Sequence, residues 1–329
     1  MELPFEEIKR EIIVKREAEP IKGYGSKPED RATKDIINYG IVNIDKPSGP
    51  SSHQVSDYVQ KILGIGKAGH SGTLDPRVTG VLPIALGRAT RIVEFLLKAG
   101  KEYVCLMHLH KKVEKEKIKE AISEFIGKIT QLPPIKSSVK RQERSRKIYY
   151  IEILEIEDQD VLFKVGCEAG TYIRKLCFDI GKKLKTGAHM AELRRTKAGP
   201  FDESTLFTLQ DLADAFHYYK NGNDKFLRKV IQPVENAIVH LPKIFVIDSA
   251  ISSLCHGVDL KVPGISKFET GIEKGNEVAV MSLKNELIAI GKVNFSSEQI
   301  KGLEKGVVAK IYKVFMLPDT YPRLFKERL

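Results

Sequence analysis

His70-Ser71-Gly72-Thr73-Leu74-Asp75-Pro76-Arg77-Val78-Thr79-Gly80-Val81-Leu82-Pro83 is the stretch on which the reading of this 329-residue chain turns. It holds one carboxylate, Asp75, among Gly72, Pro76, Gly80 and Pro83, residue types that mark loops and not helix interiors. Taken alone, an Asp-Pro step in such company starts a turn and leaves its carboxylate in water. Further on, Arg88 and Arg91 supply positive charge.

The whole chain is basic, with 54 Lys+Arg against 43 Asp+Glu and a net charge of +11. Such a balance favours a polyanionic partner, of which nucleic acid is the commonest. The length sets an expectation of about two domains, each able to bury its own core. No apolar run approaches the ~20 residues of a membrane span, and the charged first 30 residues do not read as a secretory signal. Cys105, Cys167, Cys177 and Cys255 are scattered without a C-x-x-C pair, so they read as buried thiols in a reducing, cytoplasmic setting. The eight His lack metal-ligand spacing. The expectation is no metal and no cofactor.

Residues 1–36 are rich in Glu, Lys and Arg and read as a flexible arm, or as a segment ordered only by packing elsewhere. A β-branched strand runs from Tyr39 to Asp45 and is ended by Lys46-Pro47-Ser48-Gly49-Pro50. Ser51 and Gln54 have capping-box spacing, and Val55, Tyr58, Val59, Ile62 and Leu63 then recur at helical spacing. Gly64-Ile65-Gly66-Lys67-Ala68-Gly69 satisfies G-x-G-x-x-G, but it follows a helix and runs into the Asp75 loop. A dinucleotide fingerprint needs a strand before it and a helix after it. These glycines instead suggest a close-approach loop, with Lys67 and His70 available to phosphate.

Lys101–Met107 reads as a strand, in which Tyr103 would ordinarily be a core or sheet-surface residue. Residues 114–127 form an amphipathic helix. Pro133-Pro134 then leads through Lys136, Lys140 and Arg141 to Arg144, Arg146 and Lys147, with only Glu143 opposing. This cationic loop is a solvated surface or a phosphate clamp, and its charge density favours RNA contact. Tyr149–Glu157 and Val161–Glu168 alternate as a hairpin, after which Ala169-Gly170-Thr171 turns into a helix with Ile173, Leu176, Cys177, Ile180 and Leu184 on one face. Arg174 sits in its first turn, where the helix dipole disfavours a cation by a few tenths to ~1 kcal/mol. That placement calls for an anionic partner, a phosphate or a carboxylate. Residues 208–239 look helical and polar. From Lys243 the pattern changes to short strands with turns at Lys274-Gly275 and Lys284-Asn285, and a short helix at Ser249–His256.

The string from His70 through Arg91 resembles the signature loop of the TruB-type pseudouridine synthases over about twenty consecutive positions. The strand–Pro-Ser-Gly-Pro–helix unit at 39–63 resembles that family's first motif, and Gly170-Thr171-Tyr172-Ile173-Arg174 and Gly187–Thr196 resemble later ones. The resemblance covers roughly 37–205. Val262-Pro263-Gly264-Ile265 and the hairpin after it resemble a PUA domain, a small RNA-binding β-barrel. The implied fold is α+β: a catalytic domain on a mixed, mainly antiparallel sheet flanked by helices (37–242), a PUA domain (243–329), and an extension (1–36) packing on the PUA domain. With the extension included, the layout is most similar to the archaeal dyskerin-like type.

By resemblance, Asp75 is the catalytic residue, Arg174 pairs with it, and Tyr103 stacks on the target base. His70, Tyr172 and Leu193 hold the substrate. The loop carrying Arg141, Arg144, Arg146 and Lys147 closes on the RNA, with Lys67 a further phosphate contact. The target uridine must leave its stack. Asp75 then acts as nucleophile at C1′ or as base at C2′, and the detached uracil turns and is rejoined through C5. Hydrolysis would ordinarily use two carboxylates flanking the bond, so one carboxylate agrees with isomerisation. The dyskerin-like type further implies a guide RNA, a target RNA, a small zinc-ribbon-like protein, a glycine/arginine-rich accessory protein and a kink-turn-binding ribosomal protein. Two other readings are open: a stand-alone tRNA uridine-55 synthase, and a non-catalytic RNA scaffold.

Overall fold

A computed structural model describes residues 1–133 and 142–323. The chain divides into two compact units, one of residues 1–7, 42–85 and 92–230, the other of 8–41, 86–91 and 231 onward.

The first unit is built on a mixed sheet. Side by side across it run Gly40–Lys46, Thr79–Leu86, Ala188–Ala198, Lys101–Leu109, Asp160–Cys167, Arg144–Glu157 and Gly127–Gln131. Thr79–Leu86 and Ala188–Ala198 are parallel, whereas the pairs from Ala188–Ala198 outward are antiparallel. The central strand Ala188–Ala198 was hidden in the sequence because His189, Glu192, Arg194, Arg195 and Lys197 give it no apolar alternation. Its partners decide its conformation, since both its edges are paired. Helix Ile173–Lys183 lays Ile173, Leu176, Cys177 and Ile180 against Cys105, Met107 and Phe163 of the sheet, forming the core beneath Tyr103 and Leu193.

Helix Ser52–Leu63 starts on the anticipated Ser51/Gln54 capping box and ends with Gly64 in the left-handed region. Gly64 is thus a helix stop, and the strand Ala68–His70 follows it, not a helix, so no dinucleotide cradle exists there. The helix expected over 114–127 is shorter, Lys115–Ser123. Residues 208–239 are only partly helical: helices Leu209–Lys220 and Leu227–Val230 precede a strand, Ile231–Pro233.

In the second unit a seven-stranded sheet runs Ile12–Val14, Ile265–Glu269, Lys243–Val246, Glu277–Met281, Leu287–Val293, Val307–Val314 and Leu260–Lys261. Its core gathers Ile244, Ile251, Phe268, Val280, Ile288 and Val308. The N-terminal segment is no free arm. Ile13 pairs with Phe268, Lys15 Nζ donates to the carbonyls of Ile300 and Lys301, and Lys284 Nζ reaches the carbonyls of Ile21 and Tyr24. Arg88 and Arg91 serve this unit too: Arg88 donates to the Phe315 carbonyl and lies over Tyr39, and Arg91 lies over Phe315.

Candidate active site

The Asp75 loop is fixed on both sides of the carboxylate. On one side, Ser52 Oγ accepts from the Leu74 amide at 2.8 Å and contacts its carbonyl at 3.2 Å. On the other, the fully buried Lys46 ammonium donates to the carbonyls of Pro47, Pro76 and Val78, each at 2.9 Å. The Gly49 amide donates to the Pro76 carbonyl as well, and the Val78 amide to that of Asp75. Three donors meeting three acceptors is how an ammonium survives burial without a carboxylate in contact. Burial still holds the Lys46 pKa below its ordinary value, and the nearby Asp75 charge works against that. The strand leaving the loop needs glycine: Gly80 has φ +100°, and a Cβ there would lie 2.2 Å from the Arg195 carbonyl oxygen.

Into this frame Arg174 reaches from the first turn of its helix, its Nη2 donating to Asp75 Oδ2 at 2.6 Å. The cation that the helix dipole disfavours has its anion, a carboxylate 99 residues away in sequence. Both side chains stay open to solvent, Arg174 at 62% and Asp75 at 57%. The pair is therefore accessible to a large substrate.

Tyr103 and Arg195 lie directly opposite on adjacent strands, as do Cys105 and Leu193. Tyr103 and Leu193, both half-buried, pack on the same core cluster and form an apolar floor. Burial pushes the Tyr103 phenol up, and the positive charge of Arg195 opposes that rise. Tyr172, also half-buried, exchanges two backbone hydrogen bonds with the Gln131 side chain. His70 Nδ1 receives the Gly72 amide at 3.4 Å, while its Nε2 is buried with no partner among the described residues. Burial above all, then His53 and Arg195, push the His70 pKa down to about 4, so the ring is neutral near pH 7.

Sequence reasoning missed three residues of this frame. Lys46 ended a strand and Ser52 opened a helix, and neither carried a sign of its partner. Arg195 stood only as one position within the Gly187–Thr196 stretch, with no role of its own. It is 1% exposed, with Nε donating to the Val81 carbonyl at 2.7 Å and Nη2 to that of Gly72 at 3.3 Å. It ties the Asp75 loop to the strand opposite Tyr103.

The anticipated phosphate contacts divide. Lys67 is exposed. Arg144, Arg146 and Lys147 are not loop residues: they belong to the strand Arg144–Glu157, paired in register with Gln131, Ile129 and Lys128. Arg144 and Arg146 are half-buried on one face of that strand, and Lys147 is exposed on the other. Arg146 lies against the turn before Arg174, its Nη2 3.1 Å from where a Cβ on Gly170 would be. Arg141 falls outside the described residues. Among those described, no group of His, Cys, Asp and Glu has the geometry to hold a metal, and no helix is long and apolar enough to cross a membrane.

Residues 60–173 match the TruB family pseudouridylate synthase N-terminal domain, and residues 174–239 the tRNA pseudouridylate synthase B C-terminal domain. The chain belongs to the TruB family of pseudouridine synthases. The rest of the synthase matches a PUA domain over 242–315 and a DKCLD domain over 2–56. It is 54% identical to the "Probable tRNA pseudouridine synthase B" of Thermococcus kodakarensis, across 98% of this chain and 96% of that protein. The Pyrococcus furiosus protein of the same name is 53% identical over the same shares. Among solved structures, a chain of a Cbf5-Nop10-Gar1 complex is similar with TM-score 0.93 and 53% identity over 98% of each chain. A chain of an H/ACA RNP bound to a substrate RNA containing 2′-deoxyuridine is similar with TM-score 0.93 and 50% identity, over 98% of this chain and 100% of that one. The synthase is a dyskerin-like member of its family.

Proposed function

We propose that the synthase converts uridine to pseudouridine in RNA, chiefly ribosomal RNA, selected by a bound guide RNA, as the catalytic subunit of an H/ACA ribonucleoprotein. One observation carries this reading. The likeness to a chain solved in such a particle with substrate RNA extends over 98% of the synthase and takes in its N-terminal segment. The partners are the guide and target RNAs, Nop10 and Gar1 as found with the similar chain, and a kink-turn-binding ribosomal protein. Residues 1–36 act as an extension serving the PUA domain (243–329), and 37–242 as the catalytic domain.

The chemistry belongs to the only carboxylate in the 70–83 stretch. Asp75 acts on a flipped-out uridine, as nucleophile at C1′ or base at C2′, while Arg174 pairs with it and keeps it aimed. Tyr103 stacks on the base over the apolar floor, and Leu193, Tyr172 and His70 complete the pocket. Lys67, Arg144, Arg146 and Lys147 meet backbone phosphates. A second reading, a stand-alone tRNA uridine-55 synthase, draws on the names of the curated relatives.

Tritium release from RNA carrying 5-tritiated uridine tests both readings, because moving the bond to C5 expels the label. Release that requires guide RNA and partner proteins, and is lost in Asp75→Asn, is expected. Strong release from tRNA by the chain alone would move the assignment to the second reading. Tight binding without release in either arm would leave a scaffold.

A further inference from the structure

The catalytic reading uses His70 but leaves out the neighbour its ring meets, His53. Because His70 Nδ1 accepts from the Gly72 amide, the neutral ring carries its proton on Nε2, the atom that is buried without a partner among the described residues. An unpaired buried donor is costly, and such an atom points to a ligand that supplies the missing acceptor. At 3.4 Å the Gly72 bond is long and constrains the ring weakly. A second constraint comes from His53, whose ring meets that of His70 edge-to-face, with centroids 4.6 Å apart and planes at 73°.

His53 itself is held well. It is the second residue of helix Ser52–Leu63, between Ser51 and Gln54, which close the capping box, and directly after Ser52, which binds Leu74. The turn carrying His53 is thereby bonded to the loop carrying Asp75, although the His53 side chain is exposed. An exposed imidazole needs no such anchoring for its own stability.

We propose that His53 is a positioning residue of the synthase: its ring holds the His70 imidazole edge-on, so that Nε2–H is presented to an acceptor oxygen of the flipped-out target nucleotide. The proposal rests on the reading of the Asp75 pocket given above. His53 acts through His70 and touches no reacting atom. What it supplies is ring packing, which phenylalanine reproduces and alanine does not.

The test uses the chain assembled with guide RNA and its partner proteins, measuring single-turnover tritium release at saturating target and, separately, target dissociation constants. His53→Ala is expected to lower the rate roughly tenfold while affinity changes less than about twofold, as for a lost orientation. His53→Phe is expected to stay within about threefold of the unaltered rate, since edge-to-face packing is kept. His53→Ala added to His70→Ala is expected to cause no further loss, the mark of one residue acting through another. An unaltered rate in His53→Ala, a loss confined to affinity, a His53→Phe rate as low as that of His53→Ala, or additive losses in the double variant would each overturn the proposal. Full activity in Asp75→Asn, run alongside, would instead overturn the pocket reading beneath it.

Discussion

On the proposed mechanism, replacing Arg174 with alanine should separate catalytic positioning from fold stability. The Arg174–Asp75 pair is short, 2.6 Å, but its side chains are 62% and 57% exposed. Exposed pairs contribute only about 0.2–1 kcal/mol to stability. At about 2–4 °C per kcal/mol for a chain of this size, Arg174→Ala should lower the melting temperature by no more than about 4 °C. Catalysis is held to a stricter geometric standard. An attacking or proton-accepting carboxylate displaced by about 1 Å costs on the order of 100-fold, near 2.7 kcal/mol in barrier. Single-turnover tritium release from the assembled particle should fall by about that factor or more, with target affinity nearly unchanged. Arg174→Lys keeps the charge without the planar guanidinium and should fall between. A rate within about fivefold of the unaltered enzyme in Arg174→Ala would refute the argument, because Asp75 would then need no partner to be aimed.

Lys46→Met should leave the Pro47 and Val78 carbonyls without their buried donor and free the loop, costing about 2–3 kcal/mol in urea unfolding along with much of the activity. Gly80→Ala forces a Cβ to 2.2 Å from the Arg195 carbonyl at φ +100°, so a loss above about 3 kcal/mol, or failure to fold, is expected from solubility and melting measurements. His70 gives a pH signature: its folded pKa of about 4 lies below the ordinary 6.5, so between those values the unfolded chain binds more protons. Stability should therefore fall as pH drops from about 6.5 to about 4, and His70→Gln should flatten that limb of the urea-midpoint profile.

What could be read from sequence, and what could not, follows the range of the forces involved. The start of helix Ser52–Leu63 was visible because its capping box closes within four residues, and the misplaced charge of Arg174 was visible because the dipole it opposes is local. The identity of the Arg174 partner depended on resemblance, since nothing near it in sequence names Asp75. Strand Ala188–Ala198 and buried Arg195 were not legible at all. Their conformation is set by neighbouring strands and by the carbonyls of Val81 and Gly72, contacts spanning 114 and 123 residues. The start of strand Arg144–Glu157 was not legible because a run of charge says little about backbone pairing: Arg144, Arg146 and Lys147 are strand residues, the two arginines half-buried and Lys147 exposed.

The same long-range ties bear on when the enzyme can first work. Lys46 and Ser52 grip the Asp75 loop across 30 and 22 residues, but Arg174 and Arg195 do so only across 99 and 123. A chain still being synthesised has the carboxylate and its near-side clamps well before it has the helix and strand that aim them. Competence thus arrives late, in one step, once the polypeptide beyond Arg195 has cleared the ribosome and the central strand has slotted between its neighbours. On the proposed reading, a partly made chain would hold the carboxylate without the residues that aim it.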